Sequence, residues 1–207
     1  MISVSLAGIG GQGSVLAAKI LAEAARAKGW QVRTAETTGM AQRGGDVTSH
    51  VRMAEEGEAV YSPLPSRGSD DAIIALEPGE GLRCLPYLKR DGVMVVAASG
   101  VAPVVADFKA APYDPEAMIA ALRASGATVI VVDDEALTQA AGSRKSLNIV
   151  MLATALCAIN DPSLANPACG KITLDDMRAA IGACVKPRFV EMNLRAVQAA
   201  EEAYRAG

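Results

Sequence analysis

The sequence predicts an α/β protein: a doubly wound, mostly parallel sheet with helices on both faces (Rossmann-like) and a helical C-terminal third. Three observations carry this. Short Val-, Ile- and Ala-rich runs alternate with stretches of helical period. The first run ends in Gly8-Ile9-Gly10-Gly11-Gln12-Gly13 and opens a helix. Beyond about residue 145 only helical patterns remain.

Residues 2–7 read as a short strand, 8–13 as a tight turn, and 15–28 as a helix with Val15, Ala18, Leu21, Ala22 and Ala25 on one face; Gly29 closes it. Residues 30–35 form a second strand and 37–46 a polar, Gly-rich loop. Residues 47–53 form a half-exposed strand, alternating Val47, Ser49, Val51 and Met53 with Thr48, His50 and Arg52. Residues 61–68, with Pro63 and Pro65, are irregular. A buried strand follows over 71–76, then a helix over 78–88 with Pro78 at its first position. Asp91-Gly92 reads as a turn and 93–97 as a buried strand. A helix over 115–124 ends at Gly126, ahead of a strand over 128–132 and a helix over 133–141. The last helices span 147–159, 173–184 and 187–205, and Thr173 with Asp176 makes a capping-box start. Residues 1–207 hold no repeat or low-complexity segment and are expected to form one domain.

Composition narrows the function. At 51% hydrophobic and 21% charged, the chain can bury a sizeable core, and with aromatics at 3% against 40 Ala and 19 Gly that core must use small and aliphatic side chains. A net charge of −3 argues against a nucleic-acid partner. The chain has one His (His50) and four Cys (Cys84, Cys157, Cys169 and Cys184), with no two Cys closer than 12 residues. This spacing excludes CxxC zinc sites and clustered iron–sulfur thiolates. No apolar stretch reaches membrane-spanning length, and no basic segment precedes the first apolar run. A cytoplasmic protein with reduced thiols and no membrane partner is expected.

The first glycine motif fits G-x-G-x-x-G in the strand–turn–helix context it requires. Glycines allow close backbone approach, and a helix N-terminus offers free N–H groups to an anion. Glu36 lies about where a dinucleotide site places its ribose-binding acid. The competing reading is that these glycines serve only strand–helix packing. The second loop, Thr38-Gly39-Met40-Ala41-Gln42-Arg43-Gly44-Gly45, follows a strand at the end where ligand crevices form, so both loops should face one crevice. Arg43, a fork-shaped donor among glycines, suits phosphate or carboxylate.

These motifs, followed by Ser49-His50-Val51-Arg52 and Leu76-Glu77-Pro78, resemble the gamma-type domain of 2-oxoacid:ferredoxin oxidoreductases. The form GMAQRGG is most like members acting on indolepyruvate. The likeness continues through Leu85-Pro86-Tyr87-Leu88, Ser146-Leu147-Asn148 and Asn193-Leu194. It implies a heteromeric enzyme in which a larger alpha subunit carries thiamine diphosphate and iron–sulfur clusters. That enzyme decarboxylates an arylpyruvate oxidatively with coenzyme A and reduces ferredoxin. This chain would complete the assembly, with coenzyme A as its one candidate ligand. The implied contact residues are Gly8, Gly10, Gly11, Gln12 and Gly13 in the first loop, and Met40, Gln42, Arg43, Gly44 and Gly45 in the second. Two other functions compete with this one: a stand-alone NAD(P)-binding protein and an interaction module without ligand.

His50 reads as structural, since no Ser, Cys or Asp motif accompanies it. Glu77 either caps a helix or meets the crevice. Cys84, Cys157 and Cys184 read as core residues. Cys169 falls on a loop with no base nearby.

Overall fold

A computed structural model describes residues 1–39, 45–101, 113–164, 166, 168 and 170–206. Six strands, β1 (Ile2–Ile9), β2 (Gln31–Thr38), β3 (Asp46–Ala54), β4 (Asp70–Ala75), β5 (Leu88–Ala97) and β6 (Thr128–Val132), form one sheet in the order β2-β3-β1-β4-β5-β6. β1, β4, β5 and β6 pair in parallel. β3 runs antiparallel to both β1 and β2. β2 therefore points with β1, and only β3 opposes the rest, so the mostly parallel sheet stands.

Helices α1 (Ser14–Ala27), α2 (Pro78–Cys84), α3 (Pro115–Ala124), α4 (Asp134–Ala140), α5 (Leu147–Ile159), α6 (Leu174–Cys184) and α7 (Pro187–Ala206) cover it. The period-two alternation of the strands sorts their side chains between two cores. Val4, Leu6, Ala72, Ile74, Val93 and Val95 pack in one core with residues of α1, α5, α6 and α7. Ala7, Ile73, Ala75, Met94 and Val96 pack on the other face against Cys84 of α2 and Leu122 of α3. α5 is buried nearly all round, as its lack of a polar stripe requires. Thr173 and Asp176 exchange both bonds of a capping box at the start of α6.

Four expectations change. β3 is not half-exposed: it is inserted between β1 and β2, and Thr48, Ser49 and His50 are all buried. Asp91-Gly92 is not a turn but part of β5. A Cβ on Gly92 would lie 2.9 Å from the Asp70 carbonyl oxygen, so glycine serves close strand approach there. α2 stops at Cys84, and a 3-10 turn over Leu85–Tyr87 leads directly into β5. Of the thiols assigned to the core, Cys84 is buried, whereas Cys157 and Cys184 are only half-buried. Cys169 lies outside the described residues.

Candidate functional site

β1 feeds α1 on one face of the sheet, and the adjacent β4 feeds α2 on the other. Their carboxyl ends therefore diverge into a crevice at the switch point of the fold. The first glycine motif forms one lip. Gly8 still belongs to β1, so the turn itself is Gly10–Gly13. Gly13 is the N-cap of α1 at φ 85°, a left-handed conformation that favours glycine. α1 has no side-chain cap and no acidic residue in its first turn. The Leu16 and Ala17 N–H groups return to the Gly13 carbonyl. The two N–H groups before them are the ones a helix start leaves to an external acceptor.

The second loop does meet the first. The Gly10 N–H donates to the Gly45 carbonyl at 2.9 Å, and Gly39 and Asp46 close the base of the loop through a Gly39 N–H bond of 2.9 Å. Met40, Gln42, Arg43 and Gly44 lie outside the described residues. Asp46, at the start of β3, pairs with Arg83 of α2 at 3.0 Å, and Arg83 also meets Glu80. Burial pushes the Glu80 carboxyl up, against the pull of Arg83.

Of the two roles weighed for Glu77, the structure shows the cap. Following β4, it caps α2 by accepting the Glu80 N–H at 2.8 Å, and its other oxygen accepts from the Tyr113 hydroxyl. Burial, reinforced by that bond, raises the Tyr113 phenol. Asn148 of α5 contributes what the motifs did not reveal: its Nδ2 donates to the Gly13 carbonyl at 3.0 Å, pinning the starts of α1 and α5 together. The packing is close, since a Cβ on Gly13 would sit 2.8 Å from that nitrogen.

His50 is accompanied after all. Its Nδ1 lies 3.0 Å from the Ser5 hydroxyl, which donates to Asp70 at 2.7 Å; Ser3 donates to the other Asp70 oxygen at 2.6 Å. Thr37 is 3.4 Å from His50 Nε2. Because serine stands between the imidazole and the carboxylate, this is not a nucleophile triad. Burial lowers the His50 pKa. Burial also raises Asp70, to about 6, with Asp71 adding to the rise and the two serines opposing it. The alternation of Ser3 and Ser5 along β1 was the available signal for this buried polar face. The partner carboxylate was invisible, because it lies 65 residues from Ser5.

Glu36 does not serve a dinucleotide site. In that fold the acid-bearing strand neighbours β1. Here β3 lies between them and pairs Ser49 with Glu36, which sets β2 about 10 Å from β1 at ordinary strand spacing. Among the described residues, no group of three or more His, Cys, Asp or Glu side chains could hold a metal ion, and no helix is long and apolar enough to cross a membrane.

Fold and crevice together define a Rossmann-like α/β domain with an anion-suited glycine turn and one antiparallel strand inserted beside β1. Over residues 3–203 the sequence matches the model of the pyruvate ferredoxin/flavodoxin oxidoreductase family, and the chain belongs to that family. It is 31% identical over 198 residues to the indolepyruvate oxidoreductase subunit IorB of Archaeoglobus fulgidus, covering 95% of this chain and 92% of that one. The IorB subunit of Thermococcus kodakarensis is also 31% identical, over 97% of this chain and 96% of its own. Among solved structures, the keto/oxoacid ferredoxin oxidoreductase gamma subunit of Geobacter sulfurreducens superposes with a TM-score of 0.68 at 21% identity, covering all of both chains. The 2-oxoglutarate:ferredoxin oxidoreductase of Magnetococcus marinus, solved with 2-oxoglutarate, coenzyme A and succinyl-CoA bound, superposes at 0.68 and 18% identity; all of this chain covers 31% of that one.

Proposed function

We propose that this chain is the non-metal subunit of an indolepyruvate-type 2-oxoacid:ferredoxin oxidoreductase. The observation that carries the reading is the 31% identity to IorB subunits over nearly the full chain, supported by the GMAQRGG motif, whose Gly45 carbonyl accepts the Gly10 N–H. Its partner is a larger alpha subunit, and ferredoxin accepts the electrons of the complex. Thiamine diphosphate and iron–sulfur clusters of that partner supply the decarboxylation and the electron transfer. One histidine and dispersed thiols suit this chain to neither group.

Coenzyme A is the ligand this chain's own residues fit. The uncapped start of α1 offers N–H groups and a favourable dipole to a phosphate. Gly10, Gly11 and Gly13 let the backbone approach closely. Arg43, a fork-shaped donor in the second glycine motif, has the chemistry to meet a phosphate of such a ligand. These residues bind and orient the acyl acceptor and keep water away from it; none moves a proton in the reaction. Replacing Arg43 with Ala should raise the KM for coenzyme A in the reconstituted complex. An unchanged KM with intact assembly would remove Arg43 from the site. Thermal titration separates the competing readings. A ligand at about 100 times its Kd adds roughly 2.7 kcal/mol, so a melting shift with NAD and none with coenzyme A would favour a dinucleotide-binding protein.

A further inference from the structure

Gln12 lies in the glycine motif, yet its carboxamide is spent inside the protein. Oε1 accepts the Ile9 N–H at 2.7 Å, and Nε2 donates to the Leu76 carbonyl at 3.0 Å. Ile9 ends β1 and Leu76 follows β4, so one side chain spans the two strand ends whose helices leave on opposite faces. The Leu76 N–H donates to the Ala7 carbonyl at 2.7 Å just below. The amide is packed as well as bonded: a Cβ on Gly8 would sit 2.7 Å from Oε1 and 3.0 Å from the Leu76 Cβ. Glu77, the cap of α2, comes next after Leu76, so the staple also fixes where α2 begins.

We propose that Gln12 is a positioning residue, which ties the first glycine turn to the end of β4 and sets the width of the crevice, leaving ligand contact to the backbone N–H groups of the turn and α1. A carboxamide carries its acceptor and its donor on separate atoms, as this bridge between the Ile9 N–H and the Leu76 carbonyl requires. Glutamate keeps the acceptor and loses the donor, and leucine loses both. What occupies the crevice rests on the function proposed above; the staple does not.

The first test uses the full chain alone. Backbone amide exchange at Ile9 should be at least about tenfold faster in Gln12→Leu than in the wild type, the scale of one buried hydrogen bond. Gln12→Glu should keep Ile9 protected, because the carboxylate still accepts its N–H. Equal exchange in the wild type and the Leu variant overturns the staple. The second test uses the complex with its partner subunit and three acyl acceptors: coenzyme A, dephospho-coenzyme A and pantetheine. A positioning role predicts that Gln12→Leu raises KM about tenfold for coenzyme A and dephospho-coenzyme A alike, leaves phosphate-free pantetheine unchanged and keeps kcat within about twofold, with Gln12→Glu falling in between. A loss in Gln12→Glu larger than in Gln12→Leu for the phosphate-bearing acceptors would mean direct contact between the amide and a phosphate and overturn the proposal. If the wild-type complex shows no dependence on coenzyme A, the functional reading fails, and Ile9 exchange still decides the staple.

Discussion

Replacing Asp70 with Asn should make this protein's stability depend less on pH. Asp70 is fully buried, with its pKa raised from 3.8 to about 6. A carboxyl raised in the folded state stabilises fully below its unfolded pKa, and that contribution is lost as pH rises through its folded value. The interval from 3.8 to about 6 corresponds to about 3 kcal/mol at about 1.4 kcal/mol per pH unit. Asparagine stays neutral throughout. Its oxygen can accept one serine hydroxyl, and its amide can donate to the other. The variant should therefore gain on the wild type by about 2.5 kcal/mol between pH 4 and pH 7.5, since pH 4 already lies just above the unfolded value. His50 acts in the opposite sense: its pKa is lowered, so its contribution is full above the unfolded value near 6.5 and is lost as pH falls from there through the lower folded value. It is present in both proteins and largely cancels in the difference. Urea unfolding at pH 4, 6 and 7.5 reads the effect as a diverging midpoint, on the order of 1 M across the range. A difference that stays flat, or favours the wild type at high pH, would refute the assignment of burial as the dominant cause.

Three further changes have defined outcomes. Gly8→Ala pushes a methyl to within 2.7 Å of Gln12 Oε1 and should cost about 1–3 kcal/mol, read by thermal melting. Gly11→Ala, at φ 103° with nothing near the new Cβ, should cost only about 1 kcal/mol of backbone strain; a loss as large as that of Gly8→Ala would show contacts not accounted for. Thr173→Ala removes the capping box of α6 and should lower stability by about 1 kcal/mol, with Thr173→Ser restoring most of it.

Much of this fold is legible in the sequence, because strong periodicity and punctuation coincide. α3, α5 and β6 fall where Pro115, the apolar run from Leu147 and the run from Thr128 place them. What local pattern cannot carry is pairing. Nothing between residues 30 and 54 shows that β3 inserts antiparallel between β1 and β2, yet that insertion buries His50 and moves Glu36 away from the glycine turn. The site divides the same way. Both glycine loops are visible as motifs, and their contact through Gly10 and Gly45 follows from strand direction. Asn148 lies 135 residues from Gly13 and Asp70 lies 65 residues from Ser5, so their roles appear only once the sheet is assembled. Gln12 shows the reverse: its motif membership suggests ligand contact, while geometry commits its amide to the strand ends.

The central claim is tested most directly by reconstitution. The chain should be produced alone and together with a thiamine diphosphate and iron–sulfur alpha subunit, and ferredoxin reduction followed with indolepyruvate and coenzyme A. Expected are no activity from either chain alone, a stable complex, and electron transfer that requires both the arylpyruvate and coenzyme A. An alpha subunit fully active without this chain, or a complex that never forms while the isolated chain binds NAD, would contradict it.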